Sequence, residues 1–330
     1  MSKLKCPIMR KKTCMFFCTY TLALHLARRM SSRVVIAPPL RQGKKAGMLN
    51  AMSHPSLFIA GLRAAARQAP RGDGSPCLRV DEASLAQLAA NAALSLREAQ
   101  ILACGHEIWP ERYVRNTSLF SAAEQARLLS AKVLQVGLGG LGGQLLDMLL
   151  RLGVGCITGA DGDRFEESNL NRQLLATRAT LGTAKAQAAA EYAARINPAV
   201  EFTPIERFLR GNELLEALHG KDLVLDALGG LQDRKALHDA AAQRHVPMIS
   251  AGIAGFVGWV AVVRPGDSGP ANFLGHKKGV EESLGNPAPT VAFAAALQCA
   301  EAAKLLAGRT CASGFAVFDL TDQSLTKFTL

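Results

Sequence analysis

Two aspartates, Asp161 and Asp163, are followed within ten residues by Asn169, Asn171, Arg172 and Gln173, and Lys185 stands a little further on behind Gly182 and Thr183. Carboxylates beside amide and guanidinium donors suit a site that holds a sugar hydroxyl and neutralises phosphates. Just upstream, residues 136–143 read VGLGGLGG. There Gly137, Gly139, Gly140 and Gly142 permit a tight strand-to-helix turn and a close backbone approach, so that amides at a helix start can face a phosphate. Asp161 falls 19 positions after Gly142, at the end of the next strand, where a ribose hydroxyl is bound in nucleotide folds. The glycine loop by itself fits NAD as well as ATP. The polar cluster at 169–173 and Lys185 favour ATP: a dinucleotide diphosphate needs few cations, whereas breaking a triphosphate at its α-phosphorus calls for several donors focused on developing charge. An NAD-dependent oxidoreductase is the competing reading, but it rests on the loop and Asp161 alone, without a recognisable His, Lys or Tyr constellation.

The elements that must position these residues alternate. Strands are expected at 132–136, 156–159, 200–204, 223–226 and 247–250, and helices at 122–130, 141–152, 185–196, 214–218 and 233–244. Such alternation implies a parallel sheet with its ligand site at the carboxyl ends of the strands. Past Gly252 the run FVGWVAVVRPG reads as antiparallel, followed by a polar loop over 267–289, a helix over 291–306 and a final hairpin. Ahead of this unit, residues 81–104 give two short helices broken at Leu94-Ser95, with Ser95 and Glu98 spaced as a capping box. RGDGSP, 71–76, reads as a linker or turn. The fold class is therefore α/β: a Rossmann-like, doubly wound, mostly parallel sheet with an antiparallel C-terminal extension and a small N-terminal helical appendage over 51–110.

The chain of 330 residues has a formal charge of +11, but the first 72 residues hold 14 Lys and Arg and no acid, while the rest hold 24 basic and 27 acidic residues. A nucleic-acid-binding domain carries its basic footprint on the folded part, so no nucleic-acid partner is expected. Residues 1–50 read as a disordered, targeting-like or mis-assigned start. Their apolar run over 13–27 is short for a spanning helix, which needs roughly 20 residues. No membrane association is expected and a cytoplasmic location is. The eight cysteines form no CxxC pair and sit among apolar neighbours like buried free thiols, so zinc is not expected.

Residues 112–308 resemble the ThiF/MoeB/HesA branch of the ubiquitin-activating-enzyme superfamily. The resemblance rests on RYVRN, VGLGGLGG, DGDRFEESNLNRQ, LGTAKA, INP, LVLDAL, Arg234, VPMISAGIAGFVG and NPAPTVAFAAALQCAEAAKLLAG, in that order. It implies that 111–330 form an adenylation domain that activates, with ATP and Mg²⁺, the C-terminal glycine of a small ubiquitin-like sulfur-carrier protein of thiamine or molybdopterin synthesis, working as a homodimer. By the same resemblance Asp161 holds the ribose, Asn169, Arg172, Gln173 and Lys185 hold the phosphates, and Arg115 reaches the γ-phosphate of the other subunit. One departure bears on the metal: the family's magnesium-side Asp is replaced by Gly229, leaving Asp226, Asp163 or Asp233 as substitutes. A non-catalytic subunit that binds nucleotide or partner is the second reading. The loop around His276, Lys277 and Lys278 is a further candidate contact for an acidic tail.

Overall fold

The computed structural model describes residues 55–229, 233–273, 281–311 and 313–329. The head at 1–50 and the loop of His276, Lys277 and Lys278 lie outside the described residues. The described chain opens with α1 (Pro55–Ala65), β1 (Arg67–Pro70), β2 (Pro76–Val80), α2 (Glu82–Asn91), α3 (Leu96–Gly105) and β3 (Ile108–Pro110), then a 3₁₀ turn, Glu111–Asn116. The appendage is thus more than helical: β1, β2 and β3 form a three-stranded sheet, and RGDGSP closes the β1–β2 hairpin, with Arg71 N–H donating to Ser75 O and Gly74 at φ +83. The expected helix pair forms with its break in place, and Ser95 and Glu98 make the capping box. A small core of Phe58, Leu62, Val80, Leu85, Ala99 and Ile108 serves this unit. Ion pairs Arg112–Glu82 and Arg97–Glu201 join it to the larger unit.

That main unit runs α4 (Ala122–Ser130), β4 (Lys132–Val136), α5 (Gly140–Leu152), β5 (Cys156–Ala160), a 3₁₀ turn (Glu167–Asn169), α6 (Lys185–Ile196), β6 (Glu201–Ile205), α7 (Asn212–Ala217), β7 (Leu223–Asp226) and α8 (Arg234–Gln243). It continues with β8 (Met248–Ala254), β9 (Val257–Val263), α9 (Pro270–Phe273), α10 (Glu281–Leu284), α11 (Ala288–Leu306), β10 (Gly314–Asp319) and β11 (Ser324–Thr329). The sheet order is β11-β10-β9-β8-β7-β4-β5-β6. From β8 to β6 all neighbours are parallel, and β8 to β11 are antiparallel. KVLQV and LVLD lie at its centre, and helices cover both of their faces, which is why they read as apolar runs. Pro204, which cannot donate to a ladder, is accommodated because β6 is an edge strand. Between β4 and β7 the winding direction reverses, so the crevice of a doubly wound sheet opens at the carboxyl ends of these two strands. Among the described residues no helix is long and apolar enough to cross a membrane.

Candidate nucleotide site

The glycine loop leaves β4 at Gly137, whose φ of +97 and close approach to the Ala227 carbonyl exclude a side chain: a Cβ there would lie 2.4 Å from Ala227 O. Gly142 is tighter still, since its Cβ would fall 2.0 Å from Gly137 O, a backbone atom with no room to yield. Gly139 is the N-cap of α5 and Gly140 its first residue. The first bond of the helix runs from Gly143 N–H to Gly139 O, and the amides ahead of it have no intrahelical partner. Gln135, a polar residue in the middle of a buried strand, stitches the turn by donating to Gly137 O and Gly142 O at 3.2 and 2.8 Å. Sequence reading passed over this residue, although an uncharged donor inside KVLQV beside a glycine loop is itself a signal. Gly142→Ala is expected to cost about 1–3 kcal/mol by overpacking and to abolish nucleotide binding, read by thermal melting and by titration with ATP.

Asp161 follows β5 and is 8% exposed. Its Oδ2 accepts from Leu138 N–H at 2.8 Å and its Oδ1 from Asp163 N–H at 2.9 Å. The carboxylate therefore fastens the glycine loop to the end of β5. Burial pushes its pKa above the ordinary carboxylate value, with Lys185 opposing. The next segment folds back on itself: Phe165 N–H donates to Thr183 O, Gly182 N–H to Phe165 O and Lys185 N–H to Asp163 O, all within 3.0 Å. This closure brings Lys185, 6% exposed, beside the aspartates, and its Nζ meets Asp163 Oδ2 at 2.9 Å.

The loop so closed lays its polar residues on the glycine turn. The Arg172 Cγ lies 3.7 Å from the point where a Gly140 Cβ would stand, and the Gln173 amide 3.6 Å from that of Gly139. Gln173 is buried and its Oε1 has no partner among the described residues. The Arg172 guanidinium donates to Ser168 O and Asn171 Oδ1, both uncharged acceptors. Asn169 is occupied locally, accepting from Glu166 N–H and donating to Ser168 Oγ, so it shapes the turn that carries Arg172. Val291, at the start of α11, covers the loop from the other side, 3.3 Å from a Gly140 Cβ.

Asp226, at the end of β7, has an environment of a different kind. It is fully buried; its Oδ2 accepts from Arg234 at 2.5 Å and from Ser250 Oγ, and its Oδ1 from Leu228 N–H at 3.0 Å. Arg234 also stacks over Trp259 and donates to Leu228 O. Gln298 on α11 donates to Asp226 O and Ile249 O. The sequence pointed to Asp226 as a magnesium candidate; its neighbours instead make it the centre of a buried pin joining β7, β8, α8 and α11. Asp226→Ala leaves the Arg234 charge buried, and truncating one partner of such a pair costs about 3–5 kcal/mol. A large fall in melting temperature is the expected result.

Arg115 stands apart from all of these. It is exposed in the 3₁₀ turn Glu111–Asn116, and its side chain makes no hydrogen bond or ion pair among the described residues. Its neighbour Tyr113 accepts from Asn197 Nδ2 at 3.0 Å and lies against Gly153, where a Cβ would be 2.6 Å from its ring. Gly153 caps the far end of α5. Thirteen residues of helix separate that end from the glycine loop by about 20 Å.

The chain matches the ThiF family over residues 113–330. It is 33% identical over 216 residues to the sulfur carrier protein ThiS adenylyltransferase of Escherichia coli (strain K12), covering 63% of this chain and 86% of that protein. It is 34% identical over 203 residues to the molybdopterin-synthase adenylyltransferase of Salmonella typhimurium, covering 59% and 82%. Among solved structures, that of PaaA superposes with a TM-score of 0.56 at 22% identity, covering 66% of this chain and 81% of that one, a likeness of fold. With the glycine turn, the Asp161 fastening and the folded-back loop of Arg172 and Lys185 in family order, the chain belongs to the ThiF family.

Proposed function

We propose that this chain uses ATP to adenylate the C-terminal glycine carboxylate of a small ubiquitin-like sulfur-carrier protein, and that it works as a homodimer. The observation that carries this reading is the glycine turn with Asp161, Arg172 and Gln173 against it and Lys185 beside Asp163, two residues on from Asp161. The adenylyltransferases of sulfur carrier and molybdopterin synthase among its relatives support the reaction class. In that reaction a carboxylate oxygen attacks the α-phosphorus, the bond to the bridging oxygen breaks and pyrophosphate leaves. The chain's part is positioning and charge neutralisation. The free amides of α5 take the phosphates, Asp161 accepts from the ribose with its remaining lone pairs, and Lys185 and Arg172 face the charge that develops. No covalent protein nucleophile is called for, and Cys299 is not one: burial pushes its thiol up to about 12.

The homodimer is supported by the place of Arg115. Tyr113, two residues before it, packs against Gly153 at the end of α5 opposite the glycine turn, so Arg115 is read as serving the phosphates of a second copy. The free thiols of Cys77, Cys104, Cys156, Cys299 and Cys311 are in keeping with a reducing compartment such as the cytoplasm. Exchange of labelled pyrophosphate into ATP, measured with the purified chain and small carrier proteins ending in Gly-Gly, tests the reading. Exchange above background with at least one carrier is expected. Background exchange with every carrier, while ATP still binds, would replace it by the second reading, a non-catalytic subunit that binds nucleotide or partner; Gly229 is the observation that favours that alternative.

A further inference from the structure

A helix on a protein surface ordinarily turns its polar residues to water. Over its first three turns α11 does the reverse. From Ala288 to Ala300 it carries no charged residue, and its polar side chains, Thr290 and Gln298, are fully buried. Phe293, Ala296 and Ala300 are exposed instead, with Leu297 half-buried beside them. At spacings of three and four these residues share one face, opposite the buried face that carries Gln298 and Ala302. Both ends of the helix point to a second copy of the chain as the cover for it. The near end lies on the glycine turn, Val291 being 3.3 Å from a Gly140 Cβ, and the exposed Leu174 is alongside, 3.7 Å from a Gly143 Cβ. At the far end Ala307 O accepts from Arg127 Nε at 2.7 Å, and Arg309 lies over the Phe120 ring and donates to Leu119 O. Leu119 is exposed and its N–H donates to Asn116 O, so the turn that carries Arg115 sits beside this end. From Val291 to Leu306 the helix rises about 22 Å. An exposed leucine thus stands at each end of the apolar face, with the phosphate site at one end and the unpartnered arginine at the other. Two copies laid antiparallel on these faces bring unlike ends together twice, as a two-fold axis requires.

We propose that the outer face of α11 is the surface on which two copies of the chain pair, the two helices lying antiparallel across a two-fold axis with Leu119 of each copy near Leu174 of the other. The proposal rests on the reading of Arg115 as serving a second copy, and adds where the copies join and how the arginine is carried across. Sedimentation equilibrium of the full chain and of Ala300→Arg is the test. The wild-type chain is expected to be a dimer. In Ala300→Arg two unpaired charges enter the contact, and the dissociation constant is expected to rise at least about 100-fold. The side chain is exposed within one chain, so the variant should keep its fold by circular dichroism and still bind ATP, while carrier-dependent exchange falls as far as in Arg115→Ala. On mild oxidation Phe293→Cys mixed with Ala300→Cys is expected to cross-link chain to chain above the wild-type background, and Phe293→Cys alone is not. A wild-type chain that is monomeric at the concentrations of the exchange assay would overturn the proposal. So would an Ala300→Arg variant as dimeric as wild type, or cross-linking of Phe293→Cys alone equal to that of the mixture. Dissociation by Ala300→Arg with exchange still at the wild-type rate would uphold the surface and remove only the reading of Arg115. Dimers that the substitution separates, with wild-type exchange at background for every carrier, would likewise uphold the surface while the adenylation reading falls.

Discussion

Lys185→Ala is expected to lower carrier-dependent pyrophosphate exchange by about 10²–10³-fold, the scale found when one preorganised donor is removed from developing charge. The fold should survive, because the partner left behind, Asp163, has a side chain 54% exposed and can be hydrated once the ammonium is gone. The segment that carries Lys185 is held by backbone bonds from Phe165, Gly182 and Lys185 itself, none of which depends on the side chain. Burial is what makes the effect large: an ammonium 6% exposed is screened little by water or salt, and its position is fixed before nucleotide arrives. Lys185→Arg should restore only part of the loss, since a planar fork replaces a point charge in a closed space. Exchange in Lys185→Ala at the wild-type rate would remove the residue from the chemistry.

The second large effect concerns Arg115. Arg115→Ala alone should reduce exchange strongly while leaving stability unchanged, since the residue is exposed and unpartnered among the described residues. Mixing it with Lys185→Ala should then recover activity. In a two-fold symmetric dimer, half of randomly reassorted dimers pair the two variants, and in each of these one site has an intact lysine and receives an intact arginine. Recovery to about a quarter of the wild-type rate is the consequence of that symmetry. Recovery that is absent, although native mass spectrometry shows mixed dimers, would mean that Arg115 acts within its own chain or not at all.

Much of this arrangement is legible in the sequence, and the exceptions have physical causes. KVLQV and LVLD are readable as central strands because both faces are covered, and the helices at Ala122–Ser130 and Lys185–Ile196 because their apolar faces repeat at helical spacing. RQAP and PCLRV are not readable as strands: each is short, exposed or Pro-bearing, and pairs only because the intervening turn folds it onto its neighbour. β8 runs on to Ala254, four residues past Ser250, because small residues there admit the ring of Trp259, which would lie 2.9 Å from a Gly252 Cβ. The glycines, Asp161, Arg172 and Lys185 stand out as candidates by type and spacing. Pairings are a different matter. That Asp163 holds Lys185, that Asn169 serves its own turn, and that Asp226 is taken by Arg234 depend on which side chains the closed loop and α8 bring within reach, and no spacing rule specifies that.

Helix α5 holds the glycine turn at one end and the Tyr113 anchor at the other. Should Arg115 act across a dimer as proposed, a chain's capacity to build its own site and its capacity to complete a sister's would become separate traits under selection. A duplicated copy whose lysine or loop decays still keeps its worth as a donor of arginine. Families built this way are therefore open to asymmetric pairs, in which one chain turns over substrate and the other persists for a single side chain it lends.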